Sequence, residues 1–151
     1  MKIMRVYIEN SVIGGYFDDE FEEATKKLFE EFREGIYKPV ISTHVINELE
    51  DGAPKYVIDN LNSLNYEDYD ITEEMIDLAD KYMENNIVSK KYYGDALHIA
   101  IATVISVDIL VSWNFKHIVN LSKIKMFNSI NLQENYNILE IRTPQKVIKD
   151  E

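Results

Sequence analysis

Four side chains with oxygen donors stand where an α/β sequence places its chemistry. Glu9 directly follows the apolar run Arg5-Val6-Tyr7-Ile8, and Asn114 follows Ile109-Leu110-Val111-Ser112 by way of the chain's single tryptophan, Trp113. Glu48 lies in the helix expected after Pro39-Val40-Ile41-Ser42, and Asp95 opens the apolar helix that leads into the third run. In open α/β sheets ligands bind beyond the carboxyl ends of the strands, which is where these residues fall. Three of them are carboxylates. Gathered together they would repel and raise one another's pKa values unless a cation were present. A hard divalent ion such as Mg²⁺ or Mn²⁺ supplies that charge, takes oxygen ligands, keeps several waters and bridges to phosphate. The histidines, His44, His98 and His117, do not show zinc spacing, and the absence of cysteine removes thiolate sites.

Each of these residues also has a plain structural use. Asp95 at a helix start can serve as a cap or as a partner of the helix dipole. Glu48 on a short helix can simply be solvated. Trp113 reads as core or as an anchor for a partner, and His98, three residues after Asp95, as a satisfied histidine in a buried helix. Glu9 is harder to dismiss, because an acid among Ile8, Val12 and Ile13 is costly to bury unpaired.

The elements that must carry these groups follow from the pattern. Arg5 to Ile8 reads as a buried strand, broken at Glu9-Asn10-Ser11, where Asn10 or Ser11 would cap a turn. Glu22 to Glu34 is helical, with Ala24, Leu28, Phe29 and Phe32 on one stripe and Gly35 just past its end. Pro39 to Ser42 is a second strand, and Thr43 is expected to cap the helix carrying Val45, Ile46 and Leu49. Helices follow over Pro54–Leu64 and from Thr72 to about Asn85, with a weak strand over Tyr66–Ile71 between them. Asp95–Ser106 is apolar around much of its circumference, the mark of a buried helix. Ile109–Ser112 is a continuous apolar strand of the kind covered on both faces in a parallel sheet. A helix over Ile118–Gln133, a late strand over Ile138–Ile141 and a turn at Thr143-Pro144 complete the chain. This alternation predicts an α/β three-layer domain with a mostly parallel sheet, spanning 1–151 as a single unit.

Composition sets the outer bounds. The chain has 151 residues, a net charge of −11 and no cysteine. No run of apolar residues is long enough for a membrane span, and no secretory segment opens the sequence, so a cytoplasmic protein is expected. Residues 1–85 carry 21 acidic and 8 basic side chains, whereas residues 86–128 carry 5 lysines and only 2 aspartates. The acidic half suits a solvated surface; a polyanion, if one binds, belongs near 86–128. No Walker A or GxGxxG sequence is present, which leaves little for a nucleotide-binding α/β domain.

Four stretches in order resemble the PIN-domain family, in particular the VapC-like toxins of toxin–antitoxin pairs. They are Val6-Tyr7-Ile8-Glu9-Asn10-Ser11-Val12-Ile13-Gly14-Gly15-Tyr16, Ile41-Ser42-Thr43-His44-Val45-Ile46-Asn47-Glu48-Leu49, Tyr93-Gly94-Asp95-Ala96-Leu97-His98-Ile99-Ala100, and Asp108 through Asn120 with its Trp113-Asn114-Phe115-Lys116-His117 centre. The resemblance runs to about residue 120, and the Thr143-Pro144 ending also fits. It implies a three-layer α/β/α fold and metal-dependent hydrolysis of RNA phosphodiester bonds, an endoribonuclease activity needing Mg²⁺ or Mn²⁺. Transferred by position, the metal and catalytic residues are Glu9, Glu48, Asp95 and Asn114, with Ser11 and Asn114 orienting water or phosphate. Glu9 stands where the family has Asp, and Asn114 where it often has a fourth Asp. Lys90, Lys91, Lys116 and Lys123 become candidates for the RNA backbone. The resemblance further implies an antitoxin partner and a homodimer, with Tyr16, Phe17, Phe21, Tyr92 and Tyr93 as exposed aromatic contacts. The two departures keep open a PIN-fold RNA- or antitoxin-binding protein whose nuclease activity is weakened or lost.

Overall fold

The structure is a computed structural model that describes residues 2–149. Five strands, β1 (Met4–Ile8), β2 (Tyr37–Ser42), β3 (Glu67–Tyr69), β4 (Ile109–Val111) and β5 (Glu140–Arg142), form one sheet in the order β3-β2-β1-β4-β5. Every pairing is parallel, with Val6 opposite Pro39 on one side of β1 and opposite Ile109 on the other. Parallel strands need crossovers. These are supplied by α1 (Asn10–Gly15), α2 (Glu22–Arg33), α3 (Thr43–Glu50), α4 (Lys55–Asn62), α5 (Glu73–Glu84), α6 (Tyr93–Val104) and α7 (Leu121–Gln133). Helices α1 to α4 pack among themselves, as do α5, α6 and α7, which gives the expected helix–sheet–helix layering.

The apolar runs behave as their composition demands. Val6, Tyr7 and Ile8 of β1 are fully buried, and so are Leu110 and Val111 beside them. Helix α6 is buried from Ala96 through Thr103, which explains why its sequence lacks a polar face. Gly35, at φ +77°, closes α2 in the left-handed conformation that favours glycine.

Several boundaries differ from the sequence reading for local reasons. The cap of α1 is Glu9 itself, not Asn10 or Ser11: its carboxylate accepts the Ser11 N–H at 3.0 Å. The cap of α3 is Ser42, whose hydroxyl accepts the Val45 N–H, so Thr43 is already helical. Helix α6 starts two residues before Asp95, continuing a 3₁₀ turn over Lys90–Tyr92. Helix α7 waits for Asn120, whose side chain accepts the Lys123 N–H, and therefore starts at Leu121 rather than Ile118. The last strand is Glu140–Arg142, two residues later than its apolar residues indicate.

Strand order reverses between β1 and β4. Sequential strands move outward to β3, and the chain then returns to lay β4 on the other side of β1. The crevice outside the carboxyl ends of β1 and β4 is the switch point at which such sheets bind ligands. Glu9 leaves β1 there, and Ser112-Trp113-Asn114 leaves β4 beside it.

Candidate metal centre

Glu9 is 5% exposed, and its hydrogen-bond donors among the described residues are all neutral. The Ser11 and Ser112 hydroxyls both donate to Oε1 at 2.5 Å, and the Ser11 N–H donates to Oε2. The same serines are fixed from behind, Ser11 Oγ accepting the Trp113 N–H at 2.8 Å and Ser112 Oγ accepting the Asn114 N–H at 2.9 Å. This arrangement ties the loop after β4 to the loop after β1. The extra methylene of Glu lets the carboxylate fold back onto its own helix start and still reach Ser112. Ser112 was not among the residues singled out in the sequence; a serine at the end of an apolar strand reads as a boundary.

Glu48 occupies the opposite wall. Its Oε1 accepts from His98 Nε2 at 2.6 Å, while Oε2 lies 3.6 Å from His44 Nε2, too far for a hydrogen bond. Burial works against the Glu48 carboxylate, but the His98 hydrogen bond and the fields of His98 and His44 outweigh it and hold the group below the usual glutamate range. His44 donates from Nε2 to the Gly94 carbonyl at 3.0 Å. A Cβ on Gly94 would stand 3.1 Å from Glu48 Oε2, so glycine is what lets this oxygen lie against the first turn of α6. Burial also pushes His44 below the ordinary histidine value, and neighbouring His98 adds to that.

Asp95, in the first turn of α6, completes the group. Its pKa is pushed up to about 6 from 3.8, by burial first, then by the charge of Glu9, with Glu48 adding to it; His98 and the Asn114 side chain act in the other direction. Among the described residues no lysine or arginine forms an ion pair with Glu9, Glu48 or Asp95. Asn114 is partly committed elsewhere, its Oδ1 accepting the His117 N–H at 3.0 Å and closing the turn after β4.

Glu9 and Glu48 thus lie near enough to Asp95 for their charges to act on it, with one qualification of geometry. The tightest donor group among the described residues is His44, Glu48 and His98, whose ligand atoms lie within 4.8 Å of one another. Glu9, Glu48 and Asp95 do not bring three oxygens that close, because Glu9 turns back toward its serines. The nitrogens of this group are engaged within the protein: His98 meets Tyr7 through Nδ1 and Glu48 Oε1 through Nε2, and His44 Nε2 meets the Gly94 carbonyl. The carboxylates do fit a hard dication. They offer oxygens only, Glu48 Oε2 has no hydrogen-bond donor among the described residues, and Asp95 carries a raised pKa that a cation would relieve.

The flanking residues divide. Lys91 and Lys116 each set their ammonium group over the Tyr92 ring, at 5.7 and 5.8 Å, while Lys123 donates to the Ile87 carbonyl at 2.7 Å. Lys90 is exposed in the 3₁₀ turn that leads into α6. Trp113 is core: its indole N–H donates to Thr25 Oγ1, its ring stacks on Phe21, and Gly15 has no room for a Cβ beside it. Of the aromatic residues expected at the surface, only Phe17 is exposed; Tyr16, Phe21, Tyr92 and Tyr93 are half-buried. His98 is fully buried with both ring nitrogens bonded, the satisfied state read from the sequence, but its partner is Glu48.

No protein-family model matches this chain, and no curated protein matches it in sequence. Two solved structures share its architecture. One is VapBC2 from Rickettsia felis bound to a DNA fragment from their promoter, at 14% identity over 91% of this chain and 98% of that one, with a TM-score of 0.56. The other is Mycobacterium tuberculosis VapC20, described as a sarcin–ricin loop cleaving toxin, at 12% identity over 74% of this chain and 92% of that one, with a TM-score of 0.51. The parallel sheet and the helices of the described residues thus have the α/β fold of these two VapC structures.

Proposed function

We propose that the protein is a divalent-metal-dependent endoribonuclease, the toxin of a toxin–antitoxin pair acting in the cytoplasm. One observation supports this reading: near the switch point of the sheet, Glu9, Glu48 and Asp95 have no lysine or arginine ion pair among the described residues, and burial together with the charges of Glu9 and Glu48 pushes the Asp95 pKa up to about 6. VapC20, which has the same fold, is described as a sarcin–ricin loop cleaving toxin, and VapBC2 as bound to a DNA fragment from the promoter. On this reading RNA is the substrate, an antitoxin is the protein partner, and the toxin works as a homodimer.

Asp95 and Glu48 Oε2 would hold Mg²⁺ or Mn²⁺, with Glu9 the third ligand. When bound, such an ion activates a water and neutralises charge on the scissile phosphate. The chain's own residues do the rest. Ser11 and Ser112 hold Glu9 and tie the two strand ends together, and Asn114 sets the turn that brings its side chain beside Asp95. Lys90, Lys91 and Lys116 would supply positive charge for the RNA backbone, while Lys123 is partly engaged by Ile87.

Purified protein incubated with structured RNA, with and without Mn²⁺, tests the assignment directly. Cleavage should require the metal and disappear in Glu48→Gln; equal cleavage by both proteins would mark a contaminant. A second reading has its own support. Glu9 spends three acceptor positions on Ser11 and Ser112, which weakens it as a ligand and favours a binding protein with reduced turnover. Glu9→Asp separates the two: a marked gain in metal affinity or cleavage means that the native site is weakened, and no gain means that Glu9 is competent as it stands.

A further inference from the structure

A chain of buried hydrogen bonds runs behind the site and ends on Glu48. Ser42 Oγ meets Tyr7 Oη at 2.9 Å, Tyr7 Oη meets His98 Nδ1 at 2.8 Å, and His98 Nε2 meets Glu48 Oε1 at 2.6 Å. Ser42, Tyr7 and His98 are all fully buried. Resting on the nuclease reading above, we infer that Tyr7 and His98 are positioning residues that aim the second oxygen of Glu48 at the metal.

The directions of the bonds follow from donor counting. A carboxylate only accepts, so His98 Nε2 carries the proton toward Glu48. In the neutral imidazole Nδ1 must then accept, and the Tyr7 hydroxyl is the donor that reaches it. Tyr7 thereby spends its one proton, and Ser42 donates to the Tyr7 oxygen while its own oxygen accepts the Val45 N–H. One assignment satisfies every member with Glu48 as the single charge. It fixes the tautomer and the plane of the imidazole, leaving Oε1 occupied and Oε2 facing the crevice beside Gly94.

The placement of the members adds the second argument. Tyr7 lies on β1 two residues before Glu9. His98 lies on α6 three residues after Asp95, and Ser42 caps α3, the helix that carries Glu48. The relay thus joins the three elements that bear the three acids. Outer-shell partners of this kind orient ligating groups, and losing one typically weakens metal binding by about 10–100-fold.

The test is Mn²⁺ affinity, measured by titration of the full chain, set beside thermal unfolding in EDTA. Tyr7→Phe keeps the ring packing and removes the hydroxyl that donates to His98 Nδ1 and accepts from Ser42; it should weaken Mn²⁺ binding by about 10-fold. His98→Leu should weaken it at least as much, and His98→Gln, whose amide can donate to Glu48, should recover part of the loss. Leu61→Ala, a core truncation on α4, is the control for stability alone and should bind Mn²⁺ like the native protein despite a lower Tm. If the native chain binds Mn²⁺ and both Tyr7→Phe and His98→Leu bind it equally well, the relay does not position Glu48. If His98→Leu fails to fold, Tyr7→Phe decides alone. A native chain that binds no Mn²⁺ overturns the metal reading first, and this inference with it.

Discussion

The two ends of the sheet treat their acids in opposite ways. At the amino end, Arg5 sits over β3 and reaches Glu67 at 3.0 Å, Tyr69 at 2.7 Å and the carbonyls of Ile105 and Ser106. Its backbone N–H donates to Asp108, which Lys2 also approaches. Burial opposes the charge on Glu67, yet the bonds from Tyr69 and Arg5 and the nearby cations carry its pKa below the ordinary value. At the carboxyl end, Glu9, Glu48 and Asp95 have no lysine or arginine ion pair among the described residues, and Asp95 moves the other way. Acids that hold a fold together are given cations by the fold. On the proposed reading, acids left without them at the point where strand order reverses are the ones that take a cation from outside.

The comparison breaks most visibly at Asp95. Asp95→Asn should abolish metal-dependent cleavage, at least about 100-fold, because the catalysis is positional and electrostatic. The same change should stabilise the metal-free protein. With a folded pKa raised to about 6 against 3.8, the folded state releases this proton later than the unfolded chain. Native stability attributable to Asp95 is therefore greatest below about pH 4 and is lost as pH rises toward 6, a swing of at most about 3 kcal/mol. Asp95→Asn should unfold at a higher temperature than the native chain at pH 7, and the two should converge near pH 3.5. A lower Tm at pH 7 would mean that Asp95 has a structural partner, as Glu67 does.

Gly94→Ala sharpens the contrast at a second point. The added Cβ would lie 3.1 Å from Glu48 Oε2 and 3.6 Å from His44 Nε2. Glu48 is a flexible side chain with 37% of its surface exposed, so it can give way without disturbing the core. Cleavage should fall by about 10-fold or more through displacement of a ligand, with little change in Tm. An unchanged rate would show that Oε2 is not the oxygen in use.

How far the sequence carried this reading depends on the distance over which each signal acts. The strands beside the site were legible because burial on both faces leaves unbroken apolar runs, as in Val6-Tyr7-Ile8 and Leu110-Val111. Buried α6 was legible for the same reason. Glu9, Glu48, Asp95 and Asn114 could be listed because strand ends locate them and a family pattern links them. What held them was not legible. Ser112 acts on Glu9 across 103 positions, Tyr7 on His98 across 91, and His98 on Glu48 across 50, and nothing local marks such partners. The starts of α1 and α3 differ from the sequence reading by one or two positions because Glu9 and Ser42 reach forward to cap, a choice set by side-chain geometry rather than residue type. The lysines named for RNA were chosen by charge alone, and only the fold reveals that Lys123 is already bonded.

At the amino end, Arg5→Met tests the structural half of the comparison. It removes the guanidinium bonds to Glu67, Tyr69 and two carbonyls while keeping much of the aliphatic stem. Bonds involving a charged group contribute about 1.5–3 kcal/mol each where buried, and less at this half-exposed site, so a net loss of about 2 kcal/mol is expected in denaturant titration. Mn²⁺ affinity should not change. A parallel loss of metal binding would show that the two ends of the sheet are coupled through β1, and the division between structural and functional acids would fail.

The smallest effect is expected at Ser112. Ser112→Ala removes one of the two hydroxyls on Glu9 Oε1 and frees the Asn114 N–H, but Ser11 still supplies a hydroxyl and a backbone N–H. A cost of about 1–2 kcal/mol in stability follows from the lost charge-assisted bond. The sign of the change in metal affinity is the informative part. Glu9 relieved of one donor regains an acceptor position, so Mn²⁺ should bind slightly tighter, by a few-fold, while cleavage stays level or falls as the loop after β4 loosens. Weaker binding would mean that Ser112 presents Glu9 to the metal rather than competing for it. The Glu9 side would then resemble the Glu48 side, where a buried partner takes one oxygen in order to aim the other.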